Sequence, residues 1–121
     1  MATVEITKEN LTETVENNGV VLLDFWAEWC APCRMFGPVF ERVSEKYPDA
    51  VFGKVNTEQQ RELAAGFEIN SIPTLMALRD GVIVFAQPGA LREKEFVEVV
   101  EAVLALDMEE VREAIAAQNA R

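Results

Sequence analysis

The sequence predicts an α/β domain in which strands and helices alternate along most of the chain. Apolar residues fall into short β-prone runs separated by segments with helical spacing, in the order β-α-β-α-β-α. Residues 20–26 are almost continuously apolar, which is typical of a strand buried on both faces of a parallel sheet. An Asp80-Gly81 pair between two later apolar runs indicates a tight hairpin, so the last two strands should be antiparallel to each other.

Three strands and three helices are expected in the first half of the chain. The predicted strands cover residues 4–6, 20–26 and 51–56, and the predicted helices cover residues 8–18, 31–47 and 58–67. Thr7 is expected to cap the first helix and Gly19 to end it. The second helix has apolar residues at helical spacing, which are Met35, Phe36, Val39, Phe40, Val43 and Tyr47.

The second half of the chain should contain the hairpin and two helices. Strands are predicted at residues 74–78 and 82–85, followed by an amphipathic helix that ends near Leu104. Asp107 and Glu110 have capping-box spacing and predict one more helix. Its apolar side is narrow, formed by Val111, Ala114 and Ile115. This side could dock on the domain, contact a partner or belong to a frayed tail.

Composition excludes several classes of function. The 121 residues suit one domain, and half of them are apolar. The net charge of -10, with dispersed Lys and Arg, makes nucleic acid an unexpected partner. No apolar stretch approaches the length of a membrane span, and residues 1–10 lack the apolar run of a secretory signal. We therefore expect a cytoplasmic protein that does not contact membranes.

The two cysteines, Cys30 and Cys33, are the candidates for chemistry. A disulfide across so small a loop contributes little to stability, and a chain with no His supplies only half of a usual zinc site. A pair of ordinary buried thiols is the remaining structural alternative. A redox pair accounts best for the spacing, and no metal is expected.

The predicted strand-to-helix junction assigns a role to each cysteine. Cys30 lies just before the helix, where unpaired N–H groups and the helix dipole favour its thiolate, so Cys30 is the predicted nucleophile. Cys33, one turn further on, is the predicted resolving thiol, which attacks the mixed disulfide and releases the reduced product.

Three separated motifs resemble those of the thioredoxin family. The motifs are Asp24-Phe25-Trp26-Ala27-Glu28-Trp29-Cys30-Ala31-Pro32-Cys33, Ser71-Ile72-Pro73-Thr74-Leu75 and Gly89-Ala90-Leu91. The resemblance extends over about residues 4–105. It implies a thioredoxin fold, with a central five-stranded mixed β-sheet and helices on both faces, in a domain of residues 1–106 followed by a short helical extension of residues 107–121. It also implies protein disulfides as substrates, no bound cofactor, and electrons from NADPH delivered by thioredoxin reductase.

The resemblance further implies roles for two charged residues. Asp24 interrupts an apolar strand, where burial should raise the pKa of its carboxyl. Thioredoxins have a buried Asp at this position that acts through water as proton acceptor and donor for the resolving thiol, whereas solvation at the strand end is the alternative. Lys54 matches the family lysine that lies near this carboxylate, although a solvated surface lysine is almost equally compatible with the sequence.

The remaining site residues are expected to form a docking surface. The resemblance makes the Ile72-Pro73 peptide cis and places Pro73 beside the cysteines, although sequence physics alone favours trans. Trp29 should belong to the substrate platform, and Trp26 could serve packing or function. The other members of this flat surface are Ala31, Pro32, Ile72, Gly89 and Ala90.

Two other functions on the same fold compete with disulfide reduction. A redox chaperone or interaction protein would hold clients through the C-terminal helix, but one short helix is too little for a repeat array. A disulfide donor or isomerase would need a more oxidising pair. Ala31, which replaces the common glycine, and Pro32 include no His to stabilise the Cys30 thiolate, so reduction is the expected direction. We expect the protein to be a monomer.

Overall fold

The computed structural model describes residues 2–120, which form five strands and five helices. The strands are β1 (Thr3–Glu5), β2 (Val20–Trp26), β3 (Val51–Asn56), β4 (Thr74–Arg79) and β5 (Val82–Pro88). The helices are α1 (Leu11–Asn17), α2 (Ala31–Ser44), α3 (Arg61–Gly66), α4 (Glu93–Leu104) and α5 (Met108–Asn119). None of these helices is long and apolar enough to cross a lipid bilayer.

The five strands form one mixed sheet in the order β1-β3-β2-β4-β5. Strand β3 pairs in parallel with both β1 and β2, whereas β4 pairs antiparallel with both β2 and β5. The expected five-stranded mixed sheet is therefore confirmed. Strand β2 is the middle strand and is covered on both faces, which explains why its sequence is almost continuously apolar.

Alternate residues of β2 enter two separate cores. Val20 and Leu22 pack on one face against the apolar sides of α2 and α4, including Phe36, Phe40 and Phe96. Val21, Leu23 and Phe25 pack on the other face, together with Leu11 of α1 and Leu63 of α3. Asp24 alternates with the residues of the other face, like Val20 and Leu22, so its side chain faces the α2 side of the sheet. The period of two thus places a carboxyl group beneath helix α2.

The hairpin and the first strand agree closely with the sequence prediction. A two-residue loop, Asp80-Gly81, joins β4 to β5, and both residues have positive φ angles, 53° and 79°. This backbone is typical of the tight hairpin turns that Asp-Gly favours. Strand β1 lies one residue earlier than predicted, and Ile6 follows it as a fully buried core residue.

Three helix boundaries differ from the prediction by three residues each. Thr7 does not cap α1, because its N–H donates to Asn10 Oδ1 at 2.8 Å and a turn precedes the helix, which begins at Leu11. Helix α3 begins at Arg61 and not at Glu58, because Asn56 Oδ1 accepts the backbone N–H groups of residues 58 and 59 in another turn. Helix α2 ends at Ser44, three residues before Tyr47.

The C-terminal helix contacts the domain through residues near its start. Asp107 caps α5 as expected, accepting N–H groups from residues 109 and 110 at 3.0 and 3.3 Å. Met108 is buried and Arg112 donates to Asp80 Oδ2 at 3.2 Å. Val111 is half-buried whereas Ala114 and Ile115 are exposed, so only part of the predicted apolar side is covered in the described residues. Met108 and Arg112, which hold the helix to the domain, both lie in its first two turns.

Gly53 of β3 provides a test of the packing between β1, β2 and β3. A Cβ at this position would clash with Ile6 Cγ1 and would lie 3.1 Å from Leu23 Cδ2, inside the buried core. We predict that Gly53→Ala destabilises the oxidised protein by about 1 to 3 kcal/mol, the usual cost of overpacking. Urea unfolding followed by fluorescence measures this loss.

Gly66→Ala is the matched control, since a Cβ there meets nothing within 4 Å at the end of α3. Alanine should leave stability unchanged or raise it by up to about 1 kcal/mol. Equal free energies of unfolding for Gly53→Ala and the wild type would show that this part of the sheet is more loosely packed than the structure indicates.

Candidate active site

Cys30 and Cys33 lie at the junction between β2 and α2 and form a disulfide, with their Cα atoms 5.2 Å apart. Cys30 is the N-cap of α2, and its Sγ accepts the backbone N–H of Cys33 at 3.2 Å. Pro32 lies in the first helical turn, where a missing N–H disturbs no helical hydrogen bond. Both cysteines are only 4% exposed, so the sulfurs occupy a small opening at the protein surface.

The loop before β4 forms the opposite wall of this opening. The carbonyl oxygen of Ile72 lies 3.6 Å from Cys30 Sγ, and the Ile72-Pro73 peptide is cis. Gly89 donates its N–H to the Pro73 carbonyl at 2.8 Å, which ties the end of β5 to the same loop. The structure therefore brings together Cys30, Ile72, Pro73 and Gly89, which are far apart in sequence.

An exposed rim surrounds the two sulfurs. Trp29 is 66% exposed, and Ala31, Pro32, Gly89 and Ala90 are also exposed, while Ile72 is half-buried and Pro73 is buried. Trp26 is half-buried, and its indole Nε1 is buried with no hydrogen-bond partner among residues 2–120. The rim is thus largely uncharged and close to the disulfide.

Asp24 is fully buried, and neither carboxyl oxygen has a hydrogen-bond partner in the described part of the chain. Lys54, opposite it on β3, places its ammonium 3.9 Å from Asp24 Oδ2. Burial raises the pKa of Asp24 from its ordinary value of 3.8 to about 7, although the charge of Lys54 opposes this rise. The carboxyl can therefore gain and lose a proton near neutral pH.

Lys54 connects Asp24 to a cleft that also reaches Cys33. Its ammonium lies 5.1 Å from the centre of the Trp26 ring, within the range of a cation–π contact. The cleft is lined by Trp26, Cys33, Arg34, Gly37, Pro38, Glu41 and Lys54. Cys33 and the lysine next to the buried carboxyl therefore border the same cleft.

The sequence analysis missed five residues near the site, which are Met35 and four residues of the cleft, Arg34, Gly37, Pro38 and Glu41. Gly37 and Glu41 line the cleft, and their helical positions carried no recognisable signal. Met35 was placed with the apolar side of its helix, but it is 73% exposed, so this prediction was wrong. The buried side of α2 follows Phe36, Phe40 and Val43 at spacings of four and three, and Met35 falls one position outside that register.

No group of three or more His, Cys, Asp or Glu residues within 2–120 is arranged to hold a metal ion. The site consists of one redox-capable sulfur pair, one carboxyl with a pKa near neutrality and an uncharged rim. This arrangement suits the exchange of a disulfide between two proteins.

Comparison with known proteins agrees with this chemistry. The family model described as Thioredoxin matches residues 2–102. A Streptomyces coelicolor protein named as a second thioredoxin is 58% identical over 120 residues, covering 99% of this chain and 90% of that protein. A thioredoxin of Chlamydia pneumoniae is 41% identical over 91 residues, covering 75% of this chain and 87% of that protein.

The fold is also similar to solved thioredoxin structures. A mutant thioredoxin from Halobacterium salinarum superposes with a TM-score of 0.79 at 30% identity, covering 87% of this chain and 92% of that chain. The alignment with the Streptomyces protein continues through α5, which lies beyond the residues matched by the family model.

The raised pKa of Asp24 predicts how stability depends on pH. Between about pH 4 and 7 the folded protein keeps this proton while the unfolded chain loses it, so stability falls as pH rises through this window. Above pH 7 the penalty is complete and amounts to about 4 kcal/mol, since each pKa unit corresponds to roughly 1.4 kcal/mol. Asp24→Asn should therefore stabilise the oxidised protein most at pH 8 and flatten the profile, which guanidinium unfolding measures.

Asp49→Asn, which neutralises an exposed carboxylate, is the control for the change in net charge. This variant should keep the wild-type slope between pH 4 and 7. If Asp24→Asn kept that slope too, the buried carboxyl would not be the group that titrates.

The charge of Lys54 lowers the pKa of Asp24, so Lys54→Gln should move the titration of this carboxyl above about pH 7. Carbon-13 NMR of the Asp24 carboxyl measures the shift. Lys46→Gln removes a lysine that pairs with Glu93 and should leave the Asp24 titration unchanged. An identical titration in the Lys54→Gln and wild-type proteins would contradict the ion pair.

Proposed function

Because this chain belongs to the thioredoxin family and is a thiol-disulfide oxidoreductase that reduces protein disulfides, we propose that Cys30 is its nucleophile and Cys33 its resolving thiol. The observation that carries this assignment is the position of Cys30 Sγ as the cap of α2, where it accepts the N–H of Cys33. An N–H donor and the positive end of the helix favour negative charge on this sulfur. Cys33 lies inside the helix and lines the cleft next to Lys54.

The exchange proceeds in two displacements. The Cys30 thiolate attacks one sulfur of the substrate disulfide, the substrate S–S bond breaks, and the displaced substrate thiolate takes a proton. The Cys33 thiolate then attacks Cys30 Sγ, which breaks the mixed disulfide and releases the second substrate thiolate. The substrate gains two electrons and two protons, and the Cys30–Cys33 disulfide forms.

We assign the proton transfer at Cys33 to Asp24, with Lys54 as its positioning residue. Resolution requires the Cys33 thiol to lose a proton, and a carboxyl with a pKa of about 7 can accept one at neutral pH. The cleft that contains Cys33 also contains Lys54, whose ammonium lies 3.9 Å from Asp24. Water in this cleft would carry the proton between sulfur and carboxyl.

The substrate is proposed to dock on the rim as an extended segment. The Ile72 carbonyl lies next to Cys30, where it can accept a backbone N–H of the substrate beside the target sulfur. Pro73, Gly89 and Ala90 border this position without charge, and Trp29 provides an aromatic surface on the other side. Trp26 and the dipeptide Ala31-Pro32 complete the surface. Such a rim accepts many sequences, as a general reductant requires.

We propose that electrons reach this chain from NADPH through thioredoxin reductase. We also propose that the chain is a monomer and acts in the cytoplasm. Each turnover leaves an oxidised Cys30–Cys33 pair that another protein must reduce. The absence of His from the chain leaves the Cys30 thiolate without the added stabilisation found in strongly oxidising pairs. These features favour a compartment where thiols are kept reduced.

Trapping of the mixed disulfide tests the assignment of the two cysteines. Cys33→Ser should accumulate a covalent complex with insulin, because the serine hydroxyl does not resolve it, while Cys30→Ser should form none. Mass spectrometry and non-reducing gels measure the adduct. Adducts that form through Cys33 in the Cys30→Ser protein, and none in Cys33→Ser, would reverse the two roles.

A further inference from the structure

The two most exposed large apolar side chains of the described residues, Trp29 and Met35, both lie at the disulfide end of the molecule. Met35 is 73% exposed, more than Trp29, and it begins the second turn of α2. The other exposed large apolar residues are scattered over β1, β5, α4 and α5. Single exposed apolar residues are normal at protein surfaces, but a cluster beside a reactive pair indicates contact with another molecule.

Helical spacing connects Met35 to the rim already described. Residues three and four positions apart are neighbours on a helix surface, so Met35 adjoins both Pro32 and Ala31, which are exposed themselves. Between them, Arg34 turns back to the loop, where its Nη1 donates to the Glu28 carbonyl at 2.8 Å. Arg34 is the one charged side chain between Cys33 and Met35, and this hydrogen bond directs it toward the loop. Ala31, Pro32 and Met35 therefore form an uncharged strip at the start of α2, and the exposed Trp29 lies in the loop that precedes it.

We propose that Met35 is a specificity-determining residue, which binds the polypeptide flanking the target disulfide of a protein substrate. This inference rests on the proposed function, because the strip is continuous with the rim around Cys30. Ile72, Gly89 and Ala90 lie on the other side of the opening, so Met35 extends the contact area along α2. A substrate contacting both sides covers the sulfurs while exchange proceeds.

The chemistry of methionine suits this position. Its unbranched side chain and polarisable sulfur adapt to differently shaped apolar partners, a property that promiscuous binding surfaces use. A larger, rigid residue would bind only partners of one shape, and a charged residue would repel substrates that carry the same charge. Met35 should therefore favour protein substrates over small disulfides, which are too short to reach from Cys30 to the second turn of α2.

Two substrates distinguish an effect on substrate docking from an effect on thiol-disulfide exchange itself. Pre-reduced protein is mixed with insulin or with 2-hydroxyethyl disulfide, and the second-order rate constant is measured for each. Met35→Gln should lower the rate constant with insulin by about fivefold to tenfold, a factor that corresponds to part of the transfer free energy of one Met side chain. The rate constant with 2-hydroxyethyl disulfide should stay within about twofold of wild type, since the sulfurs are unchanged.

Two further variants serve as controls. Met35→Leu keeps an apolar side chain of similar volume and should retain the wild-type rate with insulin. Ile83→Gln changes an apolar residue that is 51% exposed near the hairpin end of β5, away from the disulfide, and it should leave both rates unchanged.

A wild-type rate of insulin reduction in Met35→Gln would overturn the inference, as would an equal loss in Ile83→Gln or an equal loss with both substrates. A wild-type protein that reduced neither substrate would instead contradict the proposed function itself. The two failures are therefore distinguishable.

Discussion

The hydrogen bond from the Cys33 N–H to Cys30 Sγ is the interaction on which the site depends. The N-cap of α2 is a sulfur where most helices use an oxygen, so the proposed nucleophile, Cys30, lies at the positive end of the helix. Strand β2 determines where Cys30 lies. Its fully buried core residues fix where the strand ends and the loop of residues 27–30 begins. The Cys30 N–H also donates to the Ala27 carbonyl at 3.3 Å, which holds the loop as a turn.

The second constraint is the buried carboxyl of Asp24, which opposes folding and which we propose as the proton acceptor for Cys33. Its neighbours on the same face of β2 are core residues, and no hydrogen bond compensates its burial among the described residues. A protein selected only for stability would have an apolar residue at this position, as it has at the neighbouring positions on the same face of β2. The 3.9 Å contact with Lys54 keeps the pKa from rising further, so the carboxyl titrates close to neutral pH. The free energy of unfolding is therefore lower near neutral pH, where the Asp24 carboxyl can exchange a proton.

Much of the fold could be predicted from the sequence because its strongest signals are local. The apolar run of β2, the Asp80-Gly81 turn and the Asp107 cap each act within a few residues, and all three are present. The family motifs also led to the cis Ile72-Pro73 peptide and to the contact between Asp24 and Lys54. The errors arose where competing side chains decide the outcome. Asn10 and Asn56 form turns that delay α1 and α3, and the register of α2 turns Met35 outward. Sequence periodicity alone does not resolve such differences of one to three residues.

The central claim is that the Cys30–Cys33 pair is a reductant, and its reduction potential is the most direct test. Equilibration with a defined thiol buffer, followed by Trp fluorescence, measures it on the wild-type protein. A helix N-terminus with no His beside the sulfurs should stabilise the thiolate only moderately, so we predict a potential near or below about -250 mV. A value between about -180 and -120 mV, the range of isomerases and disulfide donors, would contradict the account.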